Sequence, residues 1–355
     1  MIYRECGQFK TSYGSDQAIF PIHQDLWGIG MLLAAAFIII PLTATDYWLG
    51  AILIPFLILA LAALGLNILT GYCGQLSLGS AAFMAVGAFA AYNLQLRFPE
   101  IPLLVSFALA GVIAAGVGVV FGVPSLRIKG FYLAVATLAA QFFIEWVLTK
   151  FGWFSNYSPS GVITAQKMVI LGYEFDTPAR KYLLVLSVVA VLAVMAKNMV
   201  RSEIGRAWMA VRDMDVAAEV IGIRIMKTKL MAFAVSSFYC GVAGALWAFA
   251  YLGSVDAQAF DLSRSFQILF MIIVGGVGSI LGSFIGAAFI VLLPIFLNLF
   301  AHAIFGATIR PDLISNLELM VFGGLIIFFL IVEPHGLARL WQIGKEKLRL
   351  WPFPH

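Results

Sequence analysis

The stretch Trp48–Leu69, with the sequence WLGAILIPFLILALAALGLNIL, decides the class of fold because it holds no charged residue. A helix that crosses the hydrocarbon core of a bilayer needs roughly 20 mostly apolar residues in a row. Helices of soluble domains are usually apolar on one face only. The stretch therefore predicts a transmembrane helix, and the flanking sequence contains further runs of the same kind.

The composition of the whole chain supports a membrane protein. Of its 355 residues, 62% are hydrophobic and 11% are charged, whereas soluble domains have about 45–50% apolar and about 25% charged residues. This apolar excess excludes a cytosolic enzyme, a nucleic-acid-binding protein and a disordered tail. The cysteines at positions 6, 73 and 240 are too widely spaced for a disulfide framework or a metal cluster, so we expect no metal site.

Apolar runs predict about ten transmembrane helices, and hence an all-α polytopic protein that forms a single transmembrane domain over residues 1–355. The eighth run is short because Gly275-Gly276-Val277-Gly278 follows it. The polar residues 1–25 lack the apolar core of a cleaved signal peptide. An even number of spans places both termini on one side. The predicted spans are Leu26–Leu42, Trp48–Leu69, Ser80–Leu96, Pro102–Val123, Phe131–Thr149, Tyr182–Met199, Leu230–Leu252, Ser265–Ile273, Ile280–Phe305 and Asn316–Val332.

The basic residues predict the orientation in the membrane. They concentrate in the turn 127–129, the loop 197–229 and the tail 333–355, which span counting places on one face. Because short loops rich in lysine and arginine face the cytosol, we expect residues 1–25, the loop 201–229 and the tail 333–355 to be cytosolic. The loop 150–181 on the other face also holds basic residues, which Glu174 and Asp176 partly offset.

Glycines interrupt the apolar pattern at Gly71–Ser80, GYCGQLSLGS, between two predicted spans. Backbone at membrane depth leaves the helical conformation only where protein or a water-filled cavity satisfies its polar groups. Gln75, Ser77 and Ser80 would then line a polar path beside a helix start whose N–H groups are unpaired. A tight cytosolic turn with Ser77 as the helix cap is the alternative, and the sequence does not decide between the two.

A similar glycine pattern occurs twice in the chain. Gly71-Tyr-Cys-Gly74 precedes Leu78-Gly-Ser80, and Gly275-Gly-Val-Gly278 precedes Leu281-Gly-Ser283. Many transporters are built from duplicated halves with broken helices, so one interpretation is an internal repeat. The other is that both segments are glycine-rich helix contacts.

The loop Arg201–Lys229 predicts a short amphipathic helix that stops at Gly222. A helix this short needs a partner surface to be stable. Its acidic residues would be repelled by anionic lipid headgroups, so we favour docking to a cytosolic partner; a charged connector that only fixes the topology is the alternative. The predicted apolar face, at spacings of three and four, consists of Val211, Met214, Ala218 and Ile221.

Two further features concern the other face and the membrane interior. The outward loop 151–180 is longer than a connection needs, and its aromatic residues would either join the interfacial belt or receive an external partner. Glu145 is the one acidic residue well inside an apolar run, which makes it a candidate for transport.

The sequence has no complete phosphate-binding loop and no His–carboxylate or Cys–His arrangement, so any ATP chemistry belongs to another chain.

Several stretches in order resemble the branched-chain amino acid ABC transporter permeases of the LivM type. Gly71–Tyr92, GYCGQLSLGSAAFMAVGAFAAY, is similar to the GQ-SLG-AAF-GAY signature of that family. Gly130–Ala139, GFYLAVATLA, resembles its GxYfAxxTLA segment, and Ser202–Gly222 resembles its cytoplasmic SxxGRAxxAxRdxxxAAExxG stretch. The similarity continues to about Leu337 through Phe233–Leu246, Gly275–Gly286 and Glu333–Leu337.

The resemblance implies the permease fold of an ABC importer in a bacterial inner membrane. Such permeases pair with a homologous permease, two cytosolic ATPases and a periplasmic solute-binding protein. They move a small polar solute inward by alternating access, most often a branched-chain or other hydrophobic amino acid. ATP and Mg²⁺ would bind to the ATPases, and we expect no cofactor and no nucleic acid on this chain.

The resemblance also assigns roles to residues, none of them catalytic. The residues that couple the chain to an ATPase would be Arg206, Arg212, Asp213, Asp215, Ala217, Ala218, Glu219 and Gly222. The translocation path would be lined by Gly74, Gln75, Ser77, Gly79, Ser80 and Thr137. The solute-binding protein would contact Trp153, Phe154 and Tyr157.

The chain departs from the family pattern at two places. Many relatives have a TGGSDG-like sequence after the fifth span, where this chain has SNYSPSG at 155–161. Ser80 stands where relatives often have histidine. Urea, short amides and aromatic acids are therefore alternative substrates. An ion-coupled secondary transporter is the rival class, and Glu145 is its only support.

Overall fold

The computed structural model of the chain describes residues 12, 23–125, 131–158, 161–170, 173–305, 317, 320–321, 323–325, 327–329, 331 and 336–350. Three predicted segments lie wholly or largely outside these residues. They are the segment 1–22 apart from Ser12, the basic turn 127–129, and much of the tenth predicted span, Asn316–Val332.

Helices make up most of the described chain, and we number them in order. Short π-helical turns begin and end the second helix and end the ninth, and a 3₁₀ turn, Ala257–Phe260, precedes the tenth. The helices are α1 (His23–Ala34, continued by Ala35–Ile39 and Ile40–Thr43), α2 (Trp48–Tyr72), α3 (Ser80–Arg97), α4 (Leu103–Ser125), α5 (Phe131–Lys150), α6 (Pro178–Arg201), α7 (Glu203–Asp213), α8 (Asp215–Val220), α9 (Ile225–Leu252), α10 (Leu262–Gly275), α11 (Ile280–Phe305) and α12 (Gly336–Leu350).

Among the described residues, eight helices are long and apolar enough to cross a membrane. They are α1, α2, α4, α5, α6, α9, α10 with its preceding turn, and α11. This confirms an all-α polytopic membrane protein and roughly fits the predicted number of about ten. Helix α3, also a predicted span, is not among the eight because Asn93, Gln95 and Arg97 make its last turns less apolar. Helix α10 is longer than the predicted span Ser265–Ile273 at both ends.

Helix α9 lies at the centre of the bundle and packs against α2, α3 and α4. Its contact with α3 is a close backbone approach, because Gly87 lies against the carbonyl of Gly241 and Gly244 lies against the carbonyl of Met84. Helix association in lipid depends on such packing by small residues, since the hydrophobic effect gives no net drive between helices there. The glycines of this interface therefore position the start of α3 relative to the rest of the bundle.

The two ends of the bundle have different structures. The basic end holds α7 and α8, within the loop 201–229, and the opposite end holds the loop 151–177. That opposite end contains four short strands that the sequence does not predict: β1 (Ile163–Thr164), β2 (Val169–Ile170), β3 (Tyr173–Glu174) and β4 (Ser254–Val255). The pairs β1–β4 and β2–β3 are antiparallel. The first pair fixes the loop 151–177 against the residues that follow α9.

The central helix contact makes a testable prediction. Gly87→Ala would drive a methyl group into the backbone of Gly241, so we expect a loss of stability of about 1–3 kcal/mol from overpacking. Gly116→Ala on α4 is the matched control, because a Cβ there meets no atom within 4 Å. Alanine favours a helix by up to about 1 kcal/mol over glycine, so the control should keep or raise the melting temperature in detergent. Equal melting temperatures for the two variants would contradict the close approach.

Candidate functional site

The chain leaves the helical conformation between α2 and α3, over residues Cys73–Gly79, which we call the unwound segment. At its beginning the hydroxyl of Thr70 donates to the carbonyl of Gln75 at 3.0 Å. Gly74 has a φ of +71°, a conformation that favours glycine. Ser77 does not cap α3, because its Oγ accepts from the N–H of Gly79 at 3.4 Å. The structure therefore has a longer unwound segment and not the tight turn capped by Ser77.

The first turn of α3 is held by side chains from two other helices. The N–H of Ala81 donates to Ser265 Oγ of α10 at 2.9 Å, and the N–H of Ala82 donates to Gln141 Oε1 of α5 at 2.7 Å. The amide of Gln141 donates in turn to the carbonyl of Phe260 at 2.8 Å. Gln141 lies about 15 Å along the axis of α5 from its first residue, Phe131, because an α-helix rises about 1.5 Å per residue. The start of α3 is therefore near the middle of a bilayer core roughly 30 Å thick.

The residues predicted to line the translocation path lie close together around the start of α3. The N–H of Leu78 donates to Thr137 Oγ1 at 2.9 Å, and the carbonyl of Thr137 lies beside Gly79. The side chains of Gln75, Ser77, Ser80 and Thr137 are buried, while Gly74 is exposed at the basic end. The polar groups are thus closed off in this conformation.

Asn67 joins the two glycine-rich turns at the basic end. Its Nδ2 donates to the carbonyl of Ser279 at 2.7 Å and to the hydroxyl of Ser283 at 2.9 Å, and its Oδ1 accepts from the N–H of Gly278 at 2.8 Å. A Cβ at position 71 would meet both Asn67 and Gly278, so only glycine fits there. We call this contact of Asn67 and Gly71 with residues 278–283 the glycine clasp. The two segments with similar sequence thus contact each other directly, whether or not they arose by duplication.

Arg212 of α7 connects the loop 201–229 to the glycine clasp. Its Nη1 donates to the carbonyl of Gly71 at 2.9 Å, and its Nε donates to the carboxylate of Asp213 at 2.9 Å. The methylene groups of the arginine lie against Gly74. This residue, predicted to couple the chain to an ATPase, is therefore directed inward, onto the end of α2 and the start of the unwound segment.

The loop 201–229 contains two helices, so the prediction of one amphipathic helix was wrong. Helix α7 ends at Asp213 and α8 begins at Asp215, because Met214 is extended with a φ of −160° and a ψ of 95°. The helical period does not continue through an extended residue. As a result Val211 and Ala218 are buried, whereas Met214 and Ile221 are exposed.

An exposed surface remains around α8. Helix α7 is fixed beneath it, because the fully buried Trp208 donates from Nε1 to the carbonyl of Thr228 at 3.1 Å. Of the predicted coupling residues, Ala218 is buried and Asp215 is half-buried, while the exposed ones include Arg206, Asp213, Ala217, Glu219 and Gly222. Exposed apolar side chains in a group indicate an interaction surface. We define the α8 surface as Met214, Val216, Ala217, Glu219, Val220 and Ile221.

The other end of α3 contacts the residues predicted to meet the binding protein. The guanidinium of Arg97 lies 3.5 Å from the ring centroid of Trp153, and the amide of Asn93 donates to the carbonyl of Phe154 at 3.0 Å. Tyr157 is exposed and has a φ of 56°. Helix α3 thus runs from the polar start near the middle of the membrane to this loop.

The sequence pattern alone does not single out Asn67, Gln141 or Ser265. Each is a polar side chain inside an apolar run, which is a signal for function in a membrane protein. Their partners, however, lie far away in the chain, and Asn67 bonds to a residue 211 positions later. Glu145, which the sequence does single out, lies one turn beyond Gln141 on α5 and is half-buried.

Comparisons with known proteins show one consistent family. Residues 48–330 match the model of the branched-chain amino acid transport system permease component. The high-affinity branched-chain amino acid transport system permease protein LivM of Escherichia coli (strain K12) is 27% identical over 304 residues, which cover 79% of this chain and 68% of that protein. The probable branched-chain amino acid transport permease protein LivM of Methanocaldococcus jannaschii is 24% identical over 240 residues, which cover 66% of this chain and 68% of that protein. No solved structure matches the chain significantly.

Cys73 provides a test of the glycine clasp. Its thiol is buried, and only the thiolate form reacts, so alkylating reagents should reach it mainly when the surrounding structure opens. In a Cys6→Ser, Cys240→Ser background we expect slow alkylation of Cys73 that becomes faster as the pH rises. Asn67→Ala removes the hydrogen bonds of the clasp and should speed alkylation at neutral pH roughly tenfold, which corresponds to about 1.4 kcal/mol of opening free energy.

The matched control for this experiment is Asn93→Ala. Asn93 is also a buried asparagine, but it bonds to Phe89 and Phe154 towards the opposite end. Alkylation is followed by mass spectrometry of the intact protein in detergent. Acceleration in both variants would indicate general loosening, and an unchanged rate in Asn67→Ala would contradict a clasp that covers Cys73.

Proposed function

The chain belongs to the family of branched-chain amino acid transport system permease components, and on this premise we propose that it is one permease subunit of an ATP-driven importer. With a homologous second permease it would form the path by which a branched-chain or other hydrophobic amino acid enters a bacterial cell across the inner membrane. ATP and Mg²⁺ would bind to two separate cytosolic ATPase subunits, so this chain itself performs no hydrolysis.

The observation that supports this proposal best is the hydrogen bond from Arg212 to the carbonyl of Gly71. It links the loop 201–229 directly to the start of the unwound segment. The loop is rich in lysine and arginine, so the positive-inside rule assigns it and both termini to the cytosol, where the ATPases are. A displacement of α7 by an ATPase would therefore act on the path without passing through the lipid-facing helices.

We assign ATPase docking to the α8 surface. Four of its members are large exposed apolar side chains, and the carboxylates of Asp213 and Glu219 lie beside them. The complementary surface would be an apolar groove with a basic rim. Arg206 and Gly222 flank the surface on the exposed side of the loop, and Ala218 supports it from below.

The path in this proposal follows the unwound segment. Its lining residues are Gly74, Gln75, Ser77, Gly79, Ser80 and Thr137. The glycine clasp closes its cytosolic end in the present conformation, and Gln141 and Ser265 close the start of α3. ATP binding would draw the two ATPases together, move α7 and α8, and change the access of the path from one side of the membrane to the other.

The binding protein would dock on the opposite end, at Trp153, Phe154 and Tyr157. Two of these residues contact the last turns of α3 through Arg97 and Asn93. Docking of the loaded binding protein would therefore act on α3, the helix whose first turn lies on the path. The binding protein would also select the solute, so urea, short amides and aromatic acids are alternative substrates of an importer of the same type.

Reconstitution distinguishes the proposed class from its rival. The chain is placed in proteoliposomes with the second permease, the ATPases and the binding protein, and uptake of labelled leucine is measured. We expect uptake that needs both ATP and the binding protein. Uptake driven by an ion gradient without the ATPases would support an ion-coupled secondary transporter, and ATP-dependent uptake of urea or an aromatic acid alone would correct the substrate.

Reversal of charge on the α8 surface should uncouple transport. Glu219→Arg places a cation against the expected basic rim of the ATPase, and a loss of more than about 1.4 kcal/mol of docking energy would lower complex formation and uptake roughly tenfold. Insertion into the membrane should be unchanged, because Glu219 is exposed. Glu100→Arg is the matched control, since Glu100 is equally exposed but lies between α3 and α4 at the opposite end. Normal uptake by Glu219→Arg would contradict docking at α8.

A further inference from the structure

The first turn of α3 has the hydrogen-bonding pattern of a carboxylate site that two neutral side chains now fill. Gln141 Oε1 and Ser265 Oγ accept from the consecutive N–H groups of Ala82 and Ala81, at 2.7 Å and 2.9 Å. The two oxygens are neighbours, because the hydroxyl of Ser265 donates to Gln141 Oε1 at 3.2 Å. One carboxylate could accept from the same two N–H groups with its two oxygens.

The charge at this helix start is not balanced by the groups that occupy it. The N-terminus of an α-helix carries roughly half a positive elementary charge, which favours an anion. The first turn of α3 contains no acidic residue, and both Gln141 and Ser265 are neutral. They satisfy the hydrogen bonds but leave the partial charge uncompensated. An anion that reached this point would therefore be preferred to the two side chains.

Two buried polar atoms, one on the first residue of α3 and one in the unwound segment that precedes it, have no hydrogen-bond partner. Ser80, the first residue of α3, is 2% exposed and its Oγ makes no hydrogen bond; Gln75 is 3% exposed and its Oε1 makes none. A buried polar group without a partner costs free energy comparable to a lost hydrogen bond, so such groups are usually satisfied by a ligand or by water. A hydroxyl donor suits a carboxylate, and an amide oxygen suits an ammonium group.

We propose that the start of α3 binds the α-carboxylate of a zwitterionic amino acid on its way through the membrane, and that Gln141 and Ser265 are displaced by it. This inference rests on the proposed import of an amino acid and names the group by which the path recognises it. Ser80 would donate to the carboxylate, and Gln75 would accept from the ammonium group. Gln141 also donates to the carbonyl of Phe260, and this bond would hold the side chain nearby so that it returns when the solute leaves.

The sharpest test compares two nearly isosteric substitutions at Ser80. Ser80→Asp fixes a carboxylate on the first turn of α3, whereas Ser80→Asn adds a side chain of the same size without the charge. A tethered group acts at an effective concentration of the order of millimolar or more, so leucine uptake by the Asp variant should be roughly tenfold below that of the Asn variant. Expression and insertion into the membrane should be equal in the two variants.

Equal uptake by the Asp and Asn variants, with wild-type uptake intact, would overturn the carboxylate site and leave the importer in place. Absence of leucine uptake by the wild-type complex would instead contradict the proposed substrate. The two failures are therefore distinguishable.

A second measurement needs no variant and so does not depend on the folding of Ser80→Asp. Millimolar L-leucine or leucinamide is supplied on the ATPase side, which the binding protein does not reach. Leucinamide keeps the side chain and the ammonium group but lacks the carboxylate. We expect leucine to slow import at least about twofold while leucinamide has no effect, since only the carboxylate is attracted to the helix start. Equal inhibition by both compounds, or inhibition by neither, would overturn the proposal.

Discussion

The structure depends on one constraint, which is that every backbone N–H and C=O at membrane depth needs a hydrogen-bond partner. Regular helices meet it internally, but the unwound segment Cys73–Gly79 and the first turn of α3 do not. Besides the carbonyls of Leu69 and Thr70, their partners are the side chains of Thr70, Thr137, Gln141 and Ser265, which come from three different helices. The relative positions of α2, α5 and α10 around α3 are therefore fixed by the requirements of a segment that is not itself a helix.

The unwound segment is held differently at its two ends. At the basic end, side chains hold the end of α2 that precedes it: Asn67 accepts from the N–H of Gly278, and Arg212 donates to the carbonyl of Gly71. Near the middle of the membrane it ends on neutral side chains that accept from the start of α3. Because α3 continues to Trp153 and Phe154, one short stretch lies between the loop that would meet the ATPase and the loop that would meet the binding protein. A movement of the loop 201–229 or of the loop 151–177 would therefore displace the first turn of α3.

The sequence predicts the transmembrane class and most of the spans, because an apolar run of helical length is a strong local signal. It also locates the break at Gly71–Ser80, since glycines and small polar residues stand out in an apolar background. Long-range pairing is harder to predict. Asn67 and Gln141 each look like a single polar residue in a span, and their roles depend on Gly278 and Ala82, which only the fold brings close. The break at Met214 was missed for another reason: its spacing fits a helical face, and nothing in the sequence marks the residue as extended.

The chemistry of the groups around the unwound segment also bears on the source of energy. Coupling to a proton or an ion gradient needs a group that changes charge or binds an ion during the cycle, and such groups in a membrane are ionisable residues. The groups that hold this segment are amides and hydroxyls, namely Asn67, Thr137, Gln141 and Ser265, which keep the same charge at all physiological pH values. Arg212 contacts the segment at Gly74, and this arginine belongs to the loop 201–229. A force delivered through that loop is therefore a better match to the structure than an ion that passes along the segment.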